Sequence, residues 1–397
     1  MSIETAIDDV VSATLEQQAI VGSIIIVAVS GEVAYRKAAG LLDREAGTPM
    51  REDAIFRLAS FTKPLVAATV LAMIEKGLIA LDAPVTAYLP YFTSRLADGS
   101  QPVITIEHLL THTGGIVGDG PALTAAGAGS GLADTDLSLD ENLRRLANVE
   151  LVHAPGAGWV YGKGLDLLGG VIAAIDGSTL GDGVTRYVTG PLGLKDTGFV
   201  VRDRERLAVV YGDNRDGAPF RMTGTHTVPL RTGAGSLVFS IERSFSPKAF
   251  QSGGSGGVGT APEFFTFLET LRRGGEPILS RDSVARGIQN RIGKIKREPG
   301  SGFGHFGAVV FDPAAAGTPQ PAGTFEWGGV YGHRWFVDPV NELTAVIMTN
   351  TAIEGCNGPF PRAVRDAIYR GLGTAPPPTM NQPTTKPASY LMGPDPS

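Results

Sequence analysis

Two β-rich stretches lie at opposite ends of this chain, and everything between them must leave one sheet and return to it. The first, "VGSIIIVAVSGEVAYRKAAG" (21–40), holds two β-rich runs with Gly31 and Glu32 at the turn, a hairpin signature. The second, "GTFEWGGVYGHRWFVDPVNELTAVIMTNT" (323–351), alternates strongly and predicts two antiparallel strands with a turn near Asp338–Asn341. The chain between them is dominated by helical patterns. Strands contributed by both ends can pair into one antiparallel sheet with helices on its faces and a mainly helical lobe inserted, an α+β architecture.

The helical patterns are specific. Ile3, Ala6, Ile7, Val10, Val11 and Leu15 recur at spacings of three and four, which predicts an amphipathic helix over 3–18. An apolar helix is expected at 64–76, a short one within 104–115 ended by glycines, and a buried one at 164–177 with its stop at Gly177. Another enters through Thr260 and Pro262 and runs to 275, and a last one spans 359–372. The Gly/Ala-rich stretch 115–138 is expected to be a long surface loop, and the polar stretch 200–250 an irregular flap. This organisation predicts a sheet-containing domain from 1–90 and 250–373, a helical and irregular lobe at 91–249, and a tail at 374–397. That tail holds seven prolines and is expected to be extended or poorly ordered.

Composition closes several functional classes. A net charge of -6 gives no support to a nucleic-acid partner. A single cysteine, Cys356, leaves no intrachain disulfide and no multi-cysteine zinc site. No run of 18 apolar residues predicts a membrane span, and the acidic start "MSIETAIDDVVSATLEQQ" lacks the basic and apolar segments of a signal peptide. Cytoplasmic residence is the expectation, as a monomer or a homodimer.

The chemistry concentrates at "FRLASFTKPLVAATVLAMIEKG" (56–77). Pro64 lacks an amide proton and belongs in a first helical turn, which places the helix start at 60–63. Ser60 and Lys63, three apart, then share a face. A lysine screened by Leu58, Phe61 and Leu65 loses preference for its ammonium form and can serve as a base. The local-structure alternative is an ordinary N-cap serine and a surface lysine. The residue before a proline resists helical angles, which works against the pairing. A competing motif, "GGSGG" (253–257), matches Gly-x-Ser-x-Gly around Ser255, but no strand precedes it and no helix follows at once. A glycine-rich turn serving backbone geometry is the better reading there. His108 and His112 lie four apart without the intervening glutamate of a zinc protease helix, and packing or hydrogen bonding accounts for them. No phosphate-binding Gly-x-x-x-x-Gly-Lys-Ser/Thr loop is present.

Ordered blocks extend the pattern. "FRLASFTKP", "GLIALDAPVTAYLP", "ITIEHLLTHTGG", "APGAGWVYGKGLDLLGGVI" and "FEWGGVYGHRWFVDP" follow one another. On these blocks, from about residue 8 to 372, the chain resembles the serine β-lactamase and penicillin-binding-protein superfamily, above all the family VIII carboxylesterases. The resemblance implies the β-lactamase/transpeptidase-like fold and an acyl-serine mechanism without metal or cofactor. Ser60 would be the nucleophile. Lys63 and Tyr161 would share proton transfer, Tyr161 either as a phenolate or as a relay. The backbone amides of Ser60 and Val330 would form the oxyanion hole.

Departures from the lactamase pattern shape the expected substrate. Lys163 stands where those enzymes carry the asparagine of Tyr-x-Asn, and Trp327-Gly328-Gly329 replaces Lys-Thr-Gly. The charge and hydroxyl that grip an antibiotic's carboxylate are gone. Trp327, Gly328, Gly329, Lys163 and Phe61 are the expected substrate-binding residues, and a short-chain ester is the expected small-molecule partner. The alternatives implied are an acyltransferase using the same chemistry, a β-lactamase, and a non-catalytic binding protein on the same fold.

Overall fold

A computed structural model of the protein describes residues 1–214, 217–230 and 235–373; the expected proline-rich tail lies outside the described residues. Eight strands form one antiparallel sheet: β1 (Gly22–Val29), β2 (Glu32–Asp43), β3 (Thr48–Pro49), β4 (Ser301–Phe303), β5 (Ala308–Val310), β6 (Phe325–Gly329), β7 (His333–Asp338) and β8 (Leu343–Thr349). Their spatial order is β4-β5-β6-β7-β8-β1-β2-β3. The two chain ends meet along β1 and β8, with Ile25 opposite Ile347.

The expectation of two C-terminal strands is corrected to three. The segment Val330–Gly332 is a turn, not strand, and Gly332 takes a φ of 116°, open to glycine without strain. The alternation expected there also gives way. Every residue of β8 is buried, because helices cover both faces of the sheet.

On one face, α1 (Ile3–Glu16) and the C-terminal helix Pro359–Gly371 pack through Ile7, Val11, Val364 and Ile368 against Ile25, Val27 and Ile347. Ser2 caps α1, its hydroxyl accepting the Thr5 amide at 3.1 Å. On the other face lies α2 (Thr62–Glu75), buried from Thr62 through Met73. A helix apolar all round must sit inside a protein, and α2 does. Further helices, α3 (Ile106–Leu110), α4 (Gly164–Asp176) and α5 (Ala261–Arg272), complete that side, with Gly177 ending α4 at a φ of 60°.

Two expected loops prove to be structured walls. Within 115–138, Leu123, Ala128 and Leu132 are buried. Within 200–250, strand Thr225–Pro229 pairs with Ser236–Ser240, and Val228 and Phe239 bury against Ala59, Val330 and Ile353. These contacts are long-range, so no local periodicity announced them.

Candidate active site

Strand Ile55–Arg57 delivers the chain into a 3-10 turn, Ala59–Phe61, that leads directly into α2. Ala59 holds a φ of 45°, a left-handed conformation costly for a residue with a side chain. The strain bends the chain sharply just before Ser60. Despite the proline that follows it, Lys63 stays helical, and its Nζ lies 3.1 Å from Ser60 Oγ. From the other side the Tyr161 hydroxyl donates to the same oxygen at 2.8 Å. Trp327 Nε1 in turn donates to Tyr161 Oη at 3.1 Å. Ser60 Oγ is therefore held between an amine and a phenol, both buried.

The glycine run 253–257 supports this arrangement from behind. Lys63 Nζ donates to the Gly254 carbonyl at 2.7 Å, and the Gly257 amide donates to Thr62 Oγ1 at 2.9 Å. A Cβ at Gly253 would sit 2.1 Å from the Leu165 carbonyl oxygen, so only glycine lets this loop approach α4. Asp166 accepts from Ser252 Oγ at 2.5 Å and from the Gly254 amide at 3.3 Å, which pins the loop to α4. The sequence marked the run around Gly254 only as a glycine-rich turn, and Asp166 did not stand out at all. Their roles exist only through contacts about 90 residues apart along the chain.

Electrostatics separate the two lysines of the cavity. Burial pushes the Lys63 pKa down to about 7, with Asp166 opposing the shift at longer range. Lys163 is equally buried, and burial alone would lower it too. Its ion pair with Asp119, Nζ to Oδ1 at 2.6 Å, together with the more distant Asp166 charge, outweighs that and raises its pKa above the ordinary value. The Ser130 carbonyl accepts a second bond from Lys163 at 2.8 Å. Burial also raises the Tyr161 phenol, against the lowering effect of its bonds with Ser60 and Trp327. These surroundings favour a protonated phenol over a phenolate.

Ser60, Lys63, Tyr161, Lys163 and Val330 line one cavity of about 430 Å³ including its mouth. A neighbouring cavity of about 250 Å³ adds Trp327, Gly328, Arg334 and Cys356 to Ser60, Tyr161 and Val330. Gly329 lines neither. A Cβ there would sit 2.5 Å from Leu58 O, so its absence allows β6 to lie against the Ser60 turn. Phe61 is not brought to either cavity. It is fully buried, stacked on Phe264 at 4.4 Å and edge-on to His333 at 5.3 Å. Trp327 is 3 % exposed and engaged at its polar end, with Arg297 5.5 Å from its ring centroid. His112 Nδ1 accepts the Gly162 amide at 3.3 Å, beside Tyr161, whereas His108 caps α3 through the Thr105 amide. The two histidines serve different ends.

The family model described as Beta-lactamase matches residues 7–368. The chain belongs to this β-lactamase family. Esterase EstB of Burkholderia gladioli is 49% identical over 376 residues, covering 93% of this chain and 95% of that one. The solved structure of EstCE1, a hydrolase with promiscuous acyltransferase activity, superposes with a TM-score of 0.88 at 37% identity, over 92% of this chain and 98% of its own. Lovastatin esterase of Penicillium rubens is more distant, 25% identical over 85% of this chain and 91% of its own. The β-lactamase/transpeptidase-like fold expected from the ordered blocks is the fold observed.

Proposed function

We propose that this protein is a carboxylesterase that hydrolyses small esters through an acyl-serine intermediate on Ser60. The observation that carries the reading is the position of Ser60 Oγ, between Lys63 Nζ at 3.1 Å and Tyr161 Oη at 2.8 Å. Its 49% identity to an esterase supports the same class of reaction.

The chemistry follows from the groups present. With a pKa lowered to about 7, Lys63 is substantially neutral near neutral pH. Its lone pair takes the Ser60 proton as Oγ bonds to the ester carbonyl carbon. The carbonyl oxygen, now negative, is assigned to the backbone amides of Ser60 and Val330. Collapse breaks the bond to the alcohol oxygen. The proton on Lys63 passes through the Tyr161 hydroxyl to that leaving oxygen, the phenol giving one proton and receiving another. Water then attacks the acyl-serine, the same groups take its proton, and Ser60 Oγ leaves protonated. Tyr161 acts as the relay of the two roles considered for it.

Trp327 supports a preference for esters over lactams, since its indole offers no charge to an antibiotic's carboxylate and Arg334, which lines the same cavity, is paired with Glu326. Lys163 does not restore one, because Asp119 already neutralises it. One methylene in such a pocket is worth about 1–3 kcal/mol, which favours acyl chains of about two to six carbons. An acyltransferase reading finds support in EstCE1, whose hydrolase activity is accompanied by promiscuous acyl transfer. Turnover of p-nitrophenyl butyrate with and without a competing alcohol separates the two. After fluorophosphonate treatment, an adduct on Ser60 is expected by mass spectrometry; an adduct on Ser255 would overturn the assignment.

A further inference from the structure

Beyond Ser255 and Leu132, which border the cavity at Ser60, a second hollow of about 250 Å³ opens. Its walls carry Arg57, Arg243 and Tyr331. Both guanidinium groups are buried, each residue 8 % exposed, and neither forms an ion pair among the described residues. Arg57 donates to Ser244 Oγ at 3.1 Å and to the Ile241 carbonyl at 2.8 Å. Arg243 donates to the Phe250 carbonyl, and its Nε is buried without a partner. Neutral acceptors thus take only part of what two charged forks can donate.

The carboxylates that act on these cations do so from a distance. Glu242 acts on Arg57, while Asp134 and Asp166 act on Arg243. Asp134 is engaged by the Gly131 amide, and Asp166 by Ser252 and Gly254. A buried cation without a counterion is costly, and two facing one hollow are costlier still. Tyr331 lies within electrostatic reach of both arginines, and its hydroxyl has no protein partner among the described residues. An anion seated there would meet two charged forks and a hydroxyl, all on the walls of the same hollow.

We propose that this hollow is the binding site for a carboxylate carried by the substrate, so that the preferred esters are anionic, with the carboxylate reaching past Ser255 and Leu132 from the carbonyl at Ser60. The inference rests on the esterase reading and names its substrate class. It places the charge beyond Ser255 and Leu132, in a hollow that Trp327 does not line.

Two matched pairs of esters test it and locate the carboxylate. The first sets mono-(4-nitrophenyl) adipate against 4-nitrophenyl hexanoate, placing the charge on the acyl side. The second sets 3-carboxyphenyl butyrate against phenyl butyrate, placing it on the leaving group. The anionic member of one pair is expected to have the higher kcat/KM by about tenfold or more, the scale of one charge-assisted hydrogen bond. Arg243→Gln should bring that ratio to about one, and Arg243→Lys, which keeps the charge, should retain part of it. Tyr331→Phe, with little change of shape, should lower the ratio severalfold and carries the test should Arg243→Gln fail to fold. No anionic preference in either pair, or a preference unmoved by all three variants, overturns the proposal. Calorimetry of adipate with the Ser60→Ala protein supplies a readout free of turnover. Adipate binding that Arg243→Gln abolishes, in an enzyme that cleaves none of the esters, would sink the esterase reading and leave the carboxylate site standing. Ester cleavage with neither adipate binding nor anionic preference would do the reverse.

Discussion

Lys63 and Lys163 stand on two walls of one cavity, 8 % and 7 % exposed, and burial presses on both alike. Their fates diverge through their partners. Lys163 meets Asp119 at 2.6 Å and becomes a locked cation holding the 119–130 segment against α4. Lys63 meets only neutral acceptors, Ser60 Oγ and the Gly254 carbonyl, and its pKa falls to about 7. The same side chain at the same depth becomes a clamp in one place and a base in the other. Desolvation sets the strain; the presence or absence of a contacting carboxylate decides how it is relieved.

The strongest blow to this contrast falls on the nucleophile itself. Ser60→Ala should lower ester turnover by about 10⁴-fold or more, measured with p-nitrophenyl butyrate, whereas Ser255→Ala should keep most of the activity. Lys63→Ala should cost about 10²-fold or more in kcat, the scale of lost general acid–base help. Lys163→Ala should cost much less in kcat and show itself chiefly as a lowered Tm, because it breaks a clamp and not a proton path. Equal losses of kcat in the two lysine variants would erase the distinction drawn between them.

Next in size is Tyr161→Phe, expected to cost about 10²-fold in kcat; full activity would remove the tyrosine from the proton path. Trp327→Phe keeps an aromatic ring but loses the N–H donated to Tyr161, and a loss of about tenfold is expected, one hydrogen bond's worth at a charged transition state.

The finest test is the pH profile. Neutral Lys63 is the active form, so kcat/KM should fall as pH drops through about 7. The Lys163 charge lowers the Lys63 pKa, so Lys163→Met should move the midpoint to higher pH. Asp166 raises it, so Asp166→Asn should move the midpoint lower. Shifts of opposite sign to these would show that another group governs the profile.

Much of this was legible in the residues. Pro64 located the start of α2, and three-residue spacing brought Ser60 and Lys63 together, since both follow from local helix geometry. Gly177 ended α4 where expected. The C-terminal strands were undercounted because Gly328-Gly329, a usual turn dipeptide, lies inside β6, and the chain folds back only after it, at Val330–Gly332. Phe61 was expected at the substrate, but a residue adjacent in sequence to Ser60 points elsewhere on a tight 3-10 turn, here onto Phe264.

Sequence alone determined which side chains could do chemistry and the local geometry of the pair that starts it. Hydrogen bonds within one helical turn, apolar periodicity and the stiffness of proline all act over a few residues. Tertiary structure decided what those groups became. It brought Gly254, Asp166, Tyr161 and Trp327 around Ser60 from distant parts of the chain. It also gave Asp119 to one lysine and withheld a contacting carboxylate from the other. A pKa depends on burial and on charges within a few ångströms, and neither quantity exists until the chain has folded.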